Sequence, residues 1–433
     1  MDGITVGVLA IIILIVCIFL KVWIGVAMGI VGIIGIAVLT SWQKAIMVAA
    51  TEPYVQIANY TFTCVPLFVL MGVLISNSGI GADLFNAASK WIGQIRGGLA
   101  IASSIACGVF AAVSGSSMAT AATMGKVAFP EMRKHDYSVP FSAGALAAGG
   151  TVGILIPPSI GFILYGLITQ ESIGQLFMAG LFPGILQVVF YSAVCFIVGR
   201  VKPDWAPAAP KVPLSEKVGS LKGTWPVVLL IIIVLGGIYM GVFTSTEAGA
   251  IGAAGAVLIA FAARKLNGPT LVRSLKEATQ TAGMMMLMVI GSYIFMRFLT
   301  LSGLPAYMSS FASGLDVPRI VVLLAVILLY LILGMFLDVM SAVVLTMPII
   351  YPIMSGLGYD MIWFGVLTVR LIEIGLITPP VGMNVFVTAA TCKVKPEAIF
   401  KGIVPFLIAD AFHIALLIAW PNMALMLVRS GGA

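Results

Sequence analysis

The sequence predicts an all-α polytopic membrane protein built from two inverted copies of one unit, each with a re-entrant helical hairpin and a broken helix. Of its 433 residues, 61% are hydrophobic and only 9% are charged. A bilayer core of about 30 Å requires a helix of about 20 apolar residues, and runs near this length occur, for example, at 3–20, 225–242 and 320–337. A Pro-Pro motif also occurs twice, at 157–158 and at 379–380. A soluble protein of this composition would have too little polar surface to cover the apolar runs.

The apolar runs define ten crossing segments and two hairpins. Each hairpin is expected to enter and leave the membrane on one side, because treating the hairpins as crossings would break the charge pattern of the loops. The crossings are predicted at 4–20, 23–43, 54–80, 139–170, 174–199, 225–244, 247–263, 280–301, 360–392 and 402–428, and the hairpins at 98–134 and 319–356.

The basic residues predict the orientation of the chain. With the N-terminus outside, 18 of the 23 Lys and Arg residues lie in segments that face the cytoplasm. This asymmetry is what the positive-inside rule predicts. The first residues, Met1 to Gly3, lack the basic stretch of a cleavable signal peptide, so the first span is expected to be retained. The other five basic residues lie outside or within spans: Lys44, Arg297, Arg319, Arg370 and Arg429.

The cysteines and histidines argue against a transition-metal centre. The five cysteines are scattered through apolar segments without CxxC spacing, and His135 and His413 are the only histidines. Each cysteine is therefore expected to be a small buried apolar residue.

An internal repeat is the strongest indication of function. The segment GILIPPS at 153–159 matches GLITPPV at 375–381, and Tyr137 matches Tyr359 in the same ungapped register. An odd number of crossings separates the two hairpins, so the second copy is expected to lie upside down in the bilayer. Inverted repeats with discontinuous helices are typical of secondary transporters, whose sites form near the bilayer midplane.

The hydroxyl-rich stretch SGSSMATAATMG at 114–125 is explained by a turn at membrane depth. Non-helical backbone survives in hydrocarbon only inside protein or beside a cavity. Gly115 permits the turn, and the serine hydroxyls can cap the next helix and offer oxygen to a cation. The repeat places Asp338 opposite Ser116, and a carboxylate at this depth indicates function. Packing of small residues between helices is the alternative interpretation.

The two Pro-Pro pairs predict breaks in their helices. Each pair removes two backbone donors and clashes with the preceding turn. The freed carbonyls, at the negative end of a helix dipole, are suitable ligands for Na⁺. Ser114, Ser116, Asp338 and Thr378 add further oxygen donors. Simple kinks in ordinary helices remain the alternative.

Other intramembrane polar residues give weaker signals. Arg370 and Glu373 are one turn apart, which favours a structural ion pair. Asp410 and His413 share a face of the last span and are expected to pair with each other. Asn384 is expected either to cap the helix that resumes after the second break or to contact solute.

Two further segments complete the predicted organisation. Apolar residues between 82 and 95 have the spacing of an amphipathic interfacial helix, and 200–224 forms a flexible polar tether. The predicted units are scaffold helices 1–80, an interfacial arm 81–97, a first transport repeat 98–200, a cytoplasmic linker 201–224, scaffold helices 225–301, a second arm 302–318 and a second transport repeat 319–433.

Over essentially its whole length the chain resembles the large membrane subunit of TRAP (tripartite ATP-independent periplasmic) transporters. The resemblance is carried by VSGSSMATAATMG, GGTVGILIPPSIGFILYG, GMFLDVMSAVVLTMPI and GLITPPVGMNVFV, in this order. It implies an elevator-type ion-transporter fold in which the hairpins and broken helices slide against a scaffold. It implies Na⁺ as the coupling ion, with no organic cofactor and no other metal.

The resemblance also implies functional residues. It places sodium-binding sites on Ser114, Gly115, Ser116, Gly153, Leu155, Pro157, Asp338, Gly375, Thr378, Pro379 and Gly382. Substrate-binding residues are expected at Ser117, Thr151, Pro158 and Asn384.

The expected partners are those of a tripartite system. They are a small four-helix membrane subunit on a separate chain, a periplasmic solute-binding protein, an organic acid and the lipid bilayer, with no nucleic acid. The expected location is the bacterial inner membrane, with several passes and a periplasmic N-terminus.

Three alternative functions differ in what they would require of the sequence. A stand-alone dicarboxylate or anion transporter of related inverted-repeat fold would work without a binding protein. An intramembrane enzyme is disfavoured, because the sequence has no HExxH motif and no aspartates in matching positions of the repeat. A passive channel is disfavoured because an inverted repeat with broken helices suits alternating access.

Overall fold

The computed structural model describes residues 2–314 and 317–430, and those residues contain no β-strand. The predicted units 1–80, 302–318 and 319–433 therefore include residues outside the described part, at 1, 315–316 and 431–433. Within these described ranges, seven helices are long and apolar enough to span a membrane, or up to nine if each of two bent pairs forms one span. The prediction of an all-α polytopic membrane protein is confirmed.

The first ten helices run from the N-terminus to the end of the first copy. They are α1 (Gly3–Phe19), α2 (Ile24–Leu39), α3 (Trp42–Ile57), α4 (Cys64–Asn77), α5 (Ile80–Ile92), α6 (Gly98–Ser114), α7 (Ser117–Lys134), α8 (Val139–Val152), α9 (Ile160–Thr169) and α10 (Ile173–Val201).

The remaining helices follow the polar connection. They are α11 (Leu214–Ser220), α12 (Trp225–Tyr239), α13 (Ser245–Ala262), α14 (Gly268–Ser302), α15 (Leu304–Gly314), α16 (Arg319–Phe336), α17 (Val339–Gly356), α18 (Met361–Gly375), α19 (Met383–Cys392), α20 (Pro396–Ala419) and α21 (Asn422–Ser430).

Both predicted hairpins fold back on themselves. At the base of the first, the Tyr137 hydroxyl accepts a hydrogen bond from the Leu99 amide (3.1 Å), so the start of α6 lies beside the end of α7. At the base of the second, the Tyr359 hydroxyl donates to the Arg319 carbonyl (3.2 Å). Neither hairpin runs straight from one face of the molecule to the other.

The helices repeat at the spacing that the sequence predicts. The series α5 to α10 is followed, in the same order and at nearly constant separation along the chain, by α15 to α20. The helix-capping residues also correspond, since Ser116 caps α7 and Asp338 caps α17. Each copy therefore consists of an arm helix, a hairpin, a broken helix and a long closing helix.

The first halves of the two broken helices form the centre of the molecule. α18 is buried along its whole length, and α8 is buried from Phe141 to Val152. Small residues allow the close packing, because a Cβ added at Gly144 would lie 2.4 Å from the carbonyl carbon of Gly402 on α20. The hairpin tips and the helix breaks are thus held on a rigid core.

Two span boundaries were wrong. The span predicted at 54–80 begins only at a short 3₁₀ turn, Tyr60–Thr63, because residues 42–57 form the separate helix α3, which Ser41 caps. The last span, predicted at 402–428, ends at Ala419. Pro421 follows shortly afterwards and cannot continue the helix, so α21 is a separate short helix.

The connection between the copies is packed rather than a free tether. Its Ala206 carbonyl accepts from the Gly97 amide (2.9 Å), and its Ala209 amide donates to the Gly93 carbonyl (2.9 Å). The Trp91 indole on α5 donates to the Lys217 carbonyl (3.0 Å). The start of the connection is therefore bonded to the segment between α5 and the first hairpin.

Candidate functional site between the hairpin tips

The tip of the first hairpin is a tight turn between two helices. Ser114 ends α6, and Gly115 has a left-handed backbone with φ of 63°, a conformation that glycine adopts without steric cost. The Ser116 hydroxyl caps α7 by accepting from the Ala119 amide (3.3 Å). The Ser114 hydroxyl lies 3.1 Å from that of Thr120. The serines thus shape and cap the turn, as predicted.

The tip of the second hairpin uses a carboxylate in the same role. Asp338 caps α17, and its Oδ1 accepts from the Ser341 amide (3.3 Å). Its side chain is half-buried. A single cap bond leaves much of the acceptor capacity of a carboxylate available to a ligand.

The two tips meet at a small cavity. The centre of a water-sized sphere can move within about 20 Å³ of this cavity. The cavity therefore has room for about one water molecule or ion. Its lining comes from the two hairpin tips, the first turns of α7 and α17, the first helix break and α9: Gly115, Ser116, Ser117, Met118, Ile154, Ile160, Gly161, Asp338, Val339 and Met340.

Three helix N-termini converge on this cavity. α7 begins at Ser117, α9 at Ile160 and α17 at Val339, and all three residues line it. α9 is capped by Ser159, whose hydroxyl accepts from the Phe162 amide (3.5 Å). The positive ends of three helix dipoles therefore surround the cavity, and such ends bind anionic groups such as carboxylates. Asp338 supplies the opposing negative charge.

The first helix break lies directly against the first hairpin. A 3₁₀ turn, Gly153–Leu155, follows α8, and a Cβ added at Gly153 would lie 2.0 Å from that of Ala111 and 3.0 Å from the Gly108 carbonyl oxygen, both on α6. Only glycine permits this approach. Pro157 and Pro158, joined by a cis peptide bond, are buried.

The second break has the same arrangement, but its proline pair is exposed. Gly375 ends α18 and packs against α16, where a Cβ would lie 2.5 Å from the Gly334 Cα. A Cβ at Gly382 would lie 3.1 Å from the Leu376 carbonyl oxygen, and its backbone is left-handed with φ of 61°. Pro379 and Pro380, also joined by a cis bond, are exposed. In both copies, the C-terminal end of a core helix packs against the first helix of its own hairpin.

The predicted site residues are only partly brought together. Gly115, Ser116, Ser117 and Asp338 line the tip cavity. Gly153, Leu155, Pro157 and Pro158 lie at the first break, and Gly375, Thr378, Pro379 and Gly382 at the second. The Thr378 hydroxyl donates to the Ile374 carbonyl (2.6 Å). Asn384 is fully buried, and its side-chain amide has no hydrogen-bond partner among the described residues.

Thr151 belongs to a different polar group, which the sequence did not predict. Its hydroxyl lies 3.5 Å from that of Tyr191. The Tyr191 hydroxyl donates to Asp410 (3.0 Å), as does the Gln187 amide (2.7 Å). Arg370 completes the group with an ion pair to Asp410.

Both predicted ion pairs are therefore wrong. Arg370 pairs with Asp410 and not with Glu373, and His413 forms no side-chain hydrogen bond within the described part of the chain. The cause is the packing of α18 against α20, which sequence spacing cannot indicate. The sequence feature that could have indicated this polar group is the presence of polar residues within apolar runs.

Comparison with known proteins identifies the family. A family model described as "Tripartite ATP-independent periplasmic transporter, DctM component" matches residues 11–423. The chain belongs to this family. The resemblance inferred from the motifs is confirmed.

Individual TRAP relatives are similar over most of the chain. The chain is 38% identical to the C4-dicarboxylate TRAP transporter large permease protein DctM of Pseudomonas aeruginosa over 84% of this chain and 87% of that protein. It is 31% identical to the sialic acid TRAP transporter large permease protein SiaM of Vibrio cholerae, over 88% of each. It is 33% identical to the isethionate TRAP transporter permease protein DctMQ of Oleidesulfovibrio alaskensis, over 90% of this chain but only 61% of that longer protein.

Solved structures confirm a transporter fold for this TRAP permease. The YdaH transporter of Alcanivorax borkumensis matches with a TM-score of 0.64 at 12% identity, over 89% of this chain and 90% of the other. MtrF of Neisseria gonorrhoeae matches with a TM-score of 0.56 at 15% identity, over 88% of this chain and 84% of the other. At these identities the similarity concerns the fold alone.

Proposed function

We propose that the chain is the permease subunit of a Na⁺-driven TRAP transporter that imports an organic acid delivered by a periplasmic binding protein. The observation that carries the substrate class is the convergence of the N-termini of α7, α9 and α17 on one cavity between the hairpin tips. Their free amides and dipoles favour a carboxylate. The TRAP relatives named for C4-dicarboxylates, sialic acid and isethionate support an anionic substrate.

The coupling ion is Na⁺, which takes oxygen ligands. In the first copy it would be held by Ser114, Ser116 and the backbone of 153–157, and in the second by Asp338 and the backbone of 375–382. The donor chemistry fits, since at each break a core helix ends against the first helix of its own hairpin, and the last carbonyls of a helix have no partner in its regular hydrogen-bond ladder. Carbonyls of broken helices are common Na⁺ ligands in secondary transporters. No organic cofactor enters the proposal.

Transport proceeds by an elevator mechanism. The hairpins, broken helices and closing helices of two oppositely oriented copies form the moving unit, and α1 to α4 with α12 to α14 form the scaffold. The amphipathic helix α5 and its counterpart α15 are the arms between them. The N-terminus lies in the periplasm and the permease in the bacterial inner membrane, as the charge distribution supports.

A small membrane subunit completes the proposed system. A stand-alone transporter of related fold is the competing function, and dependence on a binding protein separates the two.

Reconstitution into liposomes tests the proposal. The permease, its small subunit and a candidate binding protein are assembled, and uptake of radiolabelled organic acids is measured with an inward Na⁺ gradient or with K⁺ in its place. Uptake should require both the Na⁺ gradient and the binding protein. Equal uptake in K⁺ would exclude Na⁺ coupling, and uptake without any binding protein would favour the stand-alone transporter.

A further inference from the structure

The connection between the two copies carries apolar side chains on its surface. Leu214 and Val218 on α11 and Leu221 just after it are 68%, 54% and 42% exposed. α11 buries none of its residues against the described part of the chain. Side chains at spacings of four and three residues share one face of a helix. These three side chains therefore form one continuous row, the α11 stripe.

The direction of the chain places the α11 stripe beside the end of a span. The segment Leu214–Gly223 is bent by 53° from α12, which lies within the predicted span 225–244. An amphipathic helix at the surface of a membrane buries its apolar face at the boundary between headgroups and acyl chains. Trp225, at the bend, is exposed, and tryptophan is enriched at this boundary. The bend and the exposed tryptophan thus fit a helix that lies along the membrane surface.

Basic residues surround the α11 stripe. The connection 200–224 contains five basic residues and two acidic ones. Lys211 and Lys222 flank α11 along the chain, and both are exposed. One of the acidic residues, Glu216, forms an ion pair with Lys90 on α5 (3.5 Å). The stripe therefore lies next to an excess of positive charge.

The end of α5 extends the same surface. The Trp91 indole donates to the Lys217 carbonyl (3.0 Å), so α5 and α11 lie side by side. Trp91 and Ile95 are exposed apolar residues, and Arg96 beside them is an exposed basic residue. Two neighbouring segments thus present the same combination of apolar and basic side chains.

We propose that α11 and the end of α5 bind anionic phospholipids, with the α11 stripe among the acyl chains and the neighbouring lysines at the phosphates. Lys and Arg residues near a membrane surface attract anionic headgroups. The excess of positive charge favours anionic lipid over an apolar protein helix as the occupant, because such a helix would leave the lysines without counter-charges. The proposal requires that the permease lies in a membrane, but it requires neither Na⁺ coupling nor an elevator mechanism.

Fluorescence from a label on the α11 stripe tests this proposal. Leu214→Cys is introduced into a variant of the full chain without the native cysteines, and the thiol is labelled with the polarity-sensitive dye NBD. The protein is reconstituted into phosphatidylcholine liposomes with increasing fractions of phosphatidylglycerol. NBD emission at position 214 should rise with the phosphatidylglycerol fraction, and nitroxide-labelled lipids should quench it. Ser215→Cys, at the next position and off the stripe, is the matched control and should respond less.

Removal of charge separates electrostatic binding from simple burial. Combining Lys211→Gln with Lys222→Gln should raise the phosphatidylglycerol fraction for a half-maximal response at 214 by at least about threefold, because each lysine near an anionic surface strengthens binding. Lys395→Gln with Lys401→Gln removes the same charge from other exposed positions on the same predicted side of the membrane and should leave the response unchanged. Raising KCl from about 0.1 M to about 1 M shortens the Debye length from about 10 Å to about 3 Å and should weaken the response.

The outcomes separate this inference from the proposed function. Emission at 214 that is equally high in pure phosphatidylcholine would overturn the inference, because the stripe would then be covered by protein or by neutral lipid. Emission that stays low at every lipid composition, or equal effects of the two lysine pairs, would also overturn it. None of these readouts depends on transport, so a failure of Na⁺-driven uptake would contradict the proposed function alone.

Discussion

Ser116 and Asp338 occupy the same position in the two copies of the repeat, and they meet across one cavity. Each residue caps the second helix of its hairpin, and both line the space between the tips. The two caps thus have the same geometry, but only the second carries a carboxylate. One tip therefore presents a hydroxyl and the other a carboxylate.

Removing the charge of Asp338 should impair Na⁺ coupling without loss of the fold. Asparagine caps helices as well as aspartate does, so Asp338→Asn should change the free energy of unfolding little, whereas Asp338→Ala should cost about 1 kcal/mol. Na⁺-driven uptake by Asp338→Asn should fall at least about tenfold in the liposome assay. Asp360→Asn is the matched control, because Asp360 caps α18 away from the cavity. Wild-type uptake by Asp338→Asn would remove Asp338 from the ion site.

Alanine at Gly115 should disturb the first tip specifically. The left-handed backbone costs an L-residue about 1–2 kcal/mol, and the added Cβ would lie 3.0 Å from Cγ1 of Ile160 on α9. Gly79→Ala carries the same backbone cost, with φ of 68°, but meets no atom within 4 Å. Both variants should melt at lower temperature, and Gly115→Ala should lose more transport. Equal transport by the two would show that the contact with α9 is unimportant.

The tyrosines at the hairpin bases should contribute to stability and to its pH dependence. Tyr137→Phe leaves the Leu99 amide without its acceptor and should cost about 1–3 kcal/mol, the usual penalty for an unsatisfied buried group. Tyr359 is more exposed, so Tyr359→Phe should cost less. Chemical unfolding of the two variants in parallel measures the difference, and an equal cost would contradict the burial argument.

Burial also raises the pKa of the Tyr137 hydroxyl above its ordinary value near 10. The folded state therefore keeps this proton to higher pH than the unfolded state does. The resulting stability is present below pH of about 10 and is lost as the pH rises beyond it. Tyr137→Phe should flatten the alkaline decline in unfolding free energy and leave the slope between pH 6 and 8 unchanged. An altered slope near neutral pH would assign the effect to another group.

Breaking the buried ion pair should be far more damaging than breaking an exposed one. Asp410→Asn leaves the buried Arg370 charge uncompensated and should cost about 3–5 kcal/mol. The exposed pair Arg273–Glu277 (3.0 Å) is the control, and Arg273→Gln should cost no more than about 1 kcal/mol. Denaturant unfolding of both variants checks this. A mild effect of Asp410→Asn would mean that water reaches the pair.

The sequence predicted those features that depend on local chemistry. Glycine in left-handed backbone, proline at breaks and serine or aspartate at caps act within a few residues, so the tips and breaks were predicted near their actual positions. The sequence patterns did not predict contacts between residues that are distant along the chain. The pairing of Arg370 with Asp410 depends on how α18 packs against α20, which no short window contains.

Helix α3 was missed for a related reason. Its sequence carries charged and amide groups that interrupt an apolar run, including Glu52 and Gln56. The fold satisfies them, because Glu52 forms an ion pair with Arg297 on α14 (3.0 Å) and accepts from Gln56 (3.0 Å). The polar residues within this apolar run therefore belong to a helix–helix contact and not to a loop.

Under the proposed elevator mechanism, the unequal exposure of the two proline pairs would assign this conformation to one state of the transport cycle. Pro157 and Pro158 are shielded, whereas Pro379 and Pro380 face the surroundings. In the proposed mechanism the two oppositely oriented copies exchange environments, and this exchange would open the opposite side of the membrane. Single cysteines at 157 and 379 in a variant without the native cysteines would then label in opposite phases, one thiol becoming reactive as the other is protected.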